Sequence, residues 1–421
     1  MGNDTLKAIR PAATVPTLRH FHVFLWVFFV YASTAVYSAD KAGEGLDLYK
    51  VQILFFTSTA MLFSLMYILT GRAAHLLFRW PVVWLFAYAA VAFITVPFSP
   101  DAAFTFVKAG QLLSVALLAV AAGAGGRENG PERLLNATYI ALIICMAVGW
   151  AVAVLRPDLG TQMYIGKAQL GRIPFHYTTL GGMASVLAAA FFVRLNDEGG
   201  MTNLLVFLFA LATLLATQAR MSTVYVLLVI WAVLFVYRRW GWFIACNAAG
   251  ASLFAIGPVR EKIFDFVYRQ QTLDTLANLN GRITAWVWGL GRFRDHPIIG
   301  HGYYTGSRYL LFEGYRSLNL KQFHNDFMNI LFNTGTLGVI CVAALYASTI
   351  FYVLRLRRSG LKRVSIELTM VIFIVFATGF VHSSIGWDAW YMMFVMAAVV
   401  VTAANYRGLA DSKRGEKQER A

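Results

Sequence analysis

Hydrophobic positions in this chain fall into long apolar runs separated by short polar segments. Twelve such runs can be read, at 21–37, 51–70, 81–98, 102–124, 135–155, 177–193, 203–219, 221–237, 241–257, 326–354, 365–382 and 388–405. Several approach or exceed the ~20 residues with which a helix crosses a ~30 Å hydrocarbon core. The pattern predicts an all-α integral membrane protein with about twelve transmembrane helices. One connection, 258–323 between the ninth and tenth spans, is far longer than the rest and has room for short helices of its own.

Composition agrees, with 58% hydrophobic and 14% charged residues. A net charge of +15 raises nucleic acid as a partner in a soluble chain. Here the basic residues gather in alternate connections, which is membrane topology and not nucleic-acid binding. One set holds Arg72, Arg79, Arg127, Arg133, Arg194, Arg238, Arg239, Arg355, Arg357, Arg358, Lys362 and Arg363, then Lys413 to Arg420 in the tail. The opposite short connections carry Asp40, Glu44, Asp47, Asp101 and Asp388. This bias predicts both termini in the cytoplasm and the long loop outside. The chain then divides into a cytoplasmic segment 1–20, a bundle 21–257 of nine spans, the outer loop 258–323, spans ten to twelve over 324–405, and a basic cytoplasmic tail 406–421 resting against anionic lipid.

The N-terminal run resembles a signal peptide but is longer than the usual ~7–15 apolar residues, so an uncleaved first helix is expected. Cys145, Cys246 and Cys341 each lie inside an apolar run, as packing residues and not as a disulfide framework or metal site. Two outer segments depart from the charge rule. The connection 156–176 carries Arg156, Lys167, Arg172 and His176, and 258–323 holds nine Lys or Arg against five Asp or Glu. A basic outer surface suits an anionic partner.

Arg220 stands alone in an otherwise uncharged stretch from Met201 to Tyr237, where a guanidinium at bilayer depth costs at least ~2.5–3.5 kcal/mol. It is either an interfacial arginine snorkelling to water or, the reading preferred, a phosphate-binding arginine whose planar fork takes two oxygens. His324 and Asn325 stand where the basic loop ends and an apolar helix begins, a rigid place for a proton acceptor. Arg172 and His176 precede a predicted helix start on the face of Arg220, a position that favours anions. His296 and His301 flank Gly300 in a loop turn, as structural polar residues or substrate contacts. The aromatic residues Trp286, Trp288 and Phe293 are expected in the membrane interface.

From His324 to Gly338 the sequence reads H-N-D-F-M-N-I-L-F-N-T-G-T-L-G, which fits H-[NSQ]-x9-G-x-x-G. Arg220 with Val224 resembles an R-x3-L element, valine replacing leucine. Between them lie Gly281-Arg282 through Trp286 and the turn Pro297-Ile-Ile-Gly300-His301-Gly302. These three elements, in this order, resemble the O-antigen ligase and polymerase superfamily, and the resemblance extends over the layout of the whole chain.

The resemblance implies a GT-C-like lipid-donor glycosyltransferase of the bacterial inner membrane. It implies an undecaprenyl-diphosphate-linked O-antigen as donor and lipid A-core as acceptor, joined on the periplasmic face to complete lipopolysaccharide. Arg220 and Arg282, with Arg172 as a third, would cradle the diphosphate, and His324 would be the base, oriented by Asn325 or Asp326. His176, Gly300, His301 and Gly302 would support them. Fixed guanidinium groups would make metal and cofactor unnecessary, although Asp40 and Asp47 leave an acidic metal site open, and Asp326 or Asp388 would be needed as nucleophile for a retaining route. Direct attack would invert the anomeric centre. The alternatives are a protein O-oligosaccharyltransferase or O-antigen polymerase of the same superfamily. A transporter predicts midplane charges, broken helices and repeated halves, whereas the charged residues here lie mostly at the interfaces and no repeat is evident, and a scaffold leaves Arg220 and the motif order unexplained.

Overall fold

The computed structural model describes residues 16–35, 48–71, 73–124, 130–164, 167–268, 281–314, 322–381 and 390–419. Each of the twelve apolar runs coincides with a helix. In chain order these are α1 (Pro16–Thr34), α2 (Leu48–Leu69), α3 (Trp80–Ile94), α4 (Ala102–Gly123), α5 (Arg133–Leu155), α6 (Tyr177–Asp197), α7 (Met201–Thr217), α8 (Arg220–Val236) and α9 (Trp240–Ala255). The long connection adds α10 (Gly257–Tyr268) and α11 (Arg282–Phe293), and the chain continues with α12 (Asp326–Arg358), α13 (Lys362–Val381) and α14 (Trp390–Glu419). Among the described residues five helices are long and apolar enough to cross a membrane, or six if the pair α9–α10, bent by 98°, is one broken span. The protein is an all-α, multi-pass membrane protein.

A helix that is apolar all round belongs inside, and α14 is that helix. From Trp390 to Asn405 no residue is more than 4% exposed. Around it pack α1, α3, α4, α5, α12 and α13, while α6 joins α7, α8 and α13. By contrast α9 has no buried residue and touches α8 and α10. The connection 156–176 contains a short antiparallel hairpin, Thr161–Tyr164 against Lys167–Leu170.

Opposite the ends where α6, α12 and α14 begin, the basic residues expected only to orient the chain are built into an ion-pair network. Arg194 binds Glu367 at 2.7 Å, Arg363 binds the same carboxylate at 2.6 Å and also pairs with Glu132, and Tyr139 donates to Glu367 at 3.0 Å. Burial raises the Glu132 pKa, but hydrogen bonds from Arg363 and Tyr406 and the arginine charges outweigh it and hold the carboxyl below its ordinary value. A carboxylate needs such partners to stay charged out of water.

Candidate active site

The N-termini of α4, α6, α8, α11, α12 and α14 lie toward one end of the bundle, and the candidate residues are distributed among them. Arg220 is the first residue of α8, reached from α7 by a two-residue turn in which Gln218 takes φ 50°. The turn packs against the start of α6, where a Cβ on Gly181 would meet the Cβ of Ala219 at 2.4 Å. Across from it Arg282 opens α11 directly after Gly281, whose φ is 82°. Burial pulls the Arg282 pKa below the ordinary arginine value, and the like charge of Arg220 adds to this while Tyr177, the first residue of α6, opposes it. The two guanidinium groups and a phenol therefore share one field. Two cations within electrostatic reach of one another, each at a helix N-terminus, are an arrangement that suits a doubly charged anion.

One turn after Arg282, about 6 Å along the helix, Trp286 donates its Nε1–H to the carbonyl of Phe323 at 2.9 Å. His324 follows immediately, half-buried and in the left-handed region at φ 50°. A single helix thus links the arginine pair to the histidine. Such a backbone conformation costs a non-glycine residue about 1–3 kcal/mol and persists where its surroundings hold it. Here they include the Asn325 cap, whose Oδ1 accepts from Met328 N–H at 3.1 Å while its Nδ2 donates to the Phe380 carbonyl at 3.2 Å. Asp326 turns into the bundle, 4% exposed and within electrostatic reach of Tyr88 and Tyr391. Asn325 therefore fixes the backbone that carries His324 and ties it to α13.

The glycines of the H-[NSQ]-x9-G-x-x-G pattern have a structural cause. At Gly335 (φ 64°, ψ −165°) α12 is kinked and its hydrogen-bond ladder opens. The turn 297–302 fills the opening: His301 N–H and Gly302 N–H donate to the carbonyls of Phe332 and Asn333 at 2.9 and 3.0 Å, and the N–H groups of Thr336 and Leu337 donate to Pro297 and Ile298 at 2.9 and 3.2 Å. A backbone break at membrane depth is tolerated only where its polar groups are satisfied in this way. Gly300 and Gly335 stand face to face, and a Cβ on Gly300 would lie 2.6 Å from the Gly335 nitrogen.

The other candidate residues make contacts of their own. Arg172 is exposed and donates to the Asp158 carbonyl at 3.0 Å, fastening its own connection. His176 is the N-cap of α6, its Nδ1 2.8 Å from Thr178 Oγ1. His301 is 7% exposed, stacked on Phe332 with ring centroids 4.5 Å apart, and its Nε2 contacts the Arg292 carbonyl at 3.0 Å. These contacts make it part of the joint between the turn and α12. Trp286 and Trp288, expected in the membrane interface, are partly buried. Both pack on a small core of Ala285, Leu311, Phe323 and Phe332, because the Trp286 indole N–H finds its acceptor inward. Asp40, Asp47 and Asp388 lie outside the described residues.

Residues 205–343 match the family model for O-antigen ligase. That match, across a third of the chain, supports membership of the O-antigen ligase superfamily. No protein of curated function matches the chain significantly. The ligase segment covers a third of the chain and runs from α7 into α12, so it contains Arg220, Arg282, the turn 297–302, His324, Gly335 and Gly338. Members of the family are glycosyltransferase-like enzymes of polysaccharide and lipid substrates. Outside this segment lie Tyr177, which sequence reasoning missed, and a second basic group on α4, Lys108.

Proposed function

We propose that this protein transfers a glycan from a polyprenyl diphosphate, undecaprenyl diphosphate by the family resemblance, to lipid A-core in the outer leaflet of the bacterial inner membrane. The observation that carries the reading is the meeting of Arg220 and Arg282 in one electrostatic field, joined through α11 to His324. A soluble donor would need no such pair at the end of a membrane bundle, whereas a lipid-linked diphosphate presents its charge there. The alternating arginine-rich connections support an outer, periplasmic position for this end, with both termini inside.

In the reaction the acceptor hydroxyl attacks the anomeric carbon while His324 takes its proton. The new glycosidic C–O bond forms as the C–O bond to the diphosphate breaks, and the departing diphosphate keeps the electron pair. Charge on it grows through an oxocarbenium-like transition state. Arg220 and Arg282, already fixed in place, stabilise that charge, which supports a metal-independent transfer, and direct attack inverts the anomeric centre. The Asn325 cap keeps the proton acceptor in register with the arginines.

The decisive assay gives purified protein the lipid-linked glycan with either lipid A-core or a peptide bearing serine and threonine. Transfer to lipid A-core alone is expected; transfer to the peptide makes the protein an O-oligosaccharyltransferase, and none to either removes the enzymatic reading. His324→Ala is expected to abolish transfer at unchanged protein level. Arg220→Lys is expected to lower it at least tenfold, since a point charge does not reproduce a bidentate fork. Full activity in either variant would sink the corresponding role.

A further inference from the structure

A transferase that joins two anionic lipids has two anions to seat, and the structure carries a second cationic group away from Arg220 and Arg282. Lys108 lies about 9 Å below the start of α4 and is 8% exposed. Its Nζ stands 4.4 Å above the Tyr304 ring, 5.3 Å from that of Trp390 and 5.6 Å from that of Phe104. Arg308, from the turn Ser307–Leu311, approaches the same two aromatics, 5.7 Å from Phe104 and 5.9 Å from Tyr304, and its Nη1 contacts the Tyr304 hydroxyl at 3.4 Å. Phe104 and Tyr304 meet edge to face at 5.5 Å, and Tyr304 is held at φ 68°. Two cations are thus gathered around one aromatic pair, Arg308 on the side that remains partly open.

The start of α14 separates this group from the arginine pair. Its first two residues, about 100° apart around the helix, meet different neighbours: Trp390 meets Lys108, while the Tyr391 hydroxyl fills the space beside Gly182 of α6, the helix whose Tyr177 lies within electrostatic reach of Arg282. A helix with its side chains is about 10 Å across, wider than a diphosphate, so one diphosphate does not reach both groups. We infer that Lys108 and Arg308 form a second anion site, which holds a phosphate of the acceptor glycolipid while Arg220 and Arg282 hold the donor. This assignment rests on the transfer proposed above. It makes the start of α14, with Trp390 and Tyr391, the partition between the two substrates.

The test is binding of lipid A-core, with its phosphates or enzymatically dephosphorylated, to the purified full chain in nanodiscs, alongside binding of the lipid-linked donor. Wild type is expected to bind the phosphorylated acceptor at least about tenfold more tightly, as a charge-assisted phosphate contact implies. Lys108→Gln and Arg308→Gln are each expected to erase most of that preference and leave donor affinity unchanged, while Lys108→Arg keeps it. If Lys108→Gln fails to fold, Arg308→Gln, on the more open side, decides. Variants that lose donor affinity instead would overturn the site, as would a wild type indifferent to phosphate. Transfer to lipid A-core without phosphate-dependent binding overturns this site and not the reaction; phosphate-dependent binding without transfer bears out the site and overturns the reaction.

Discussion

Gly335 sits inside an apolar helix at φ 64°, and a Cβ there would lie 2.2 Å from the carbonyl oxygen of Ile298. Both the backbone angle and the contact exclude a side chain, and the opposing atom is main chain, which has nowhere to rotate. Gly335→Ala is therefore expected to cost about 3 kcal/mol or more, read as a lower melting temperature and lost transfer, because the turn 297–302 no longer seats on α12. The motif made this glycine visible in the sequence, but its cause, a ladder opened and refilled by another loop, involves residues more than thirty positions away. Lys108 is the converse case. It is the one charged residue between Asp101 and Arg127, and the reasoning that singles out Arg220 applies to it unchanged. Its significance emerges only when Tyr304 and Trp390 arrive from distant segments.

Among the elements, the helices were legible because a run of apolar residues has one stable form in hydrocarbon. The segments outside hydrocarbon have more choices, so the hairpin 161–170 and the inward face of α11 were not. The turn 297–302 shows what such a segment does once packed: its residues continue past the kink to Tyr303, whose N–H donates to Thr95 Oγ1 at 2.8 Å, and Thr305, whose Oγ1 meets Ser99 and Thr105 at 2.6 and 2.5 Å. His301 is the titrating residue of this joint. Burial holds its pKa below the usual histidine range; its bond to the Arg292 carbonyl opposes that and His296 adds to it. A folded-state value below the unfolded one of about 6.5 means that stability is whole above that pH and drains away as pH falls through the folded value. The melting temperature is expected to drop on acidification below about pH 6.5, and His301→Gln, which keeps a donor for Arg292, is expected to flatten the drop.

At the scale of the whole molecule the two ends are built on opposite electrostatic plans. The end with Arg220 and Arg282 sets one guanidinium within the field of another, whereas the other end balances Arg194 and Arg363 against Glu132 and Glu367. The sequence distinguished these ends by counting charges but saw the second as topology alone, since nothing local pairs Glu132 with an arginine 231 positions away. Glu367 is 1% exposed and serves both arginines, so Glu367→Gln leaves Glu132 as their shared, partly buried partner and is expected to cost about 3 kcal/mol. The measurement is thermal unfolding in detergent, with transfer by the surviving folded fraction unchanged.

The burial of α14 carries a further meaning for how the protein is made. It is the innermost helix, yet it leaves the ribosome after every helix that surrounds it. Until it enters the bilayer, α1, α3, α4, α5, α12 and α13 enclose an unfilled axis, and the partition at Trp390 and Tyr391 does not exist. Assembly is therefore concerted at its last step: the core and the division between the two anion-binding groups are completed by the same insertion.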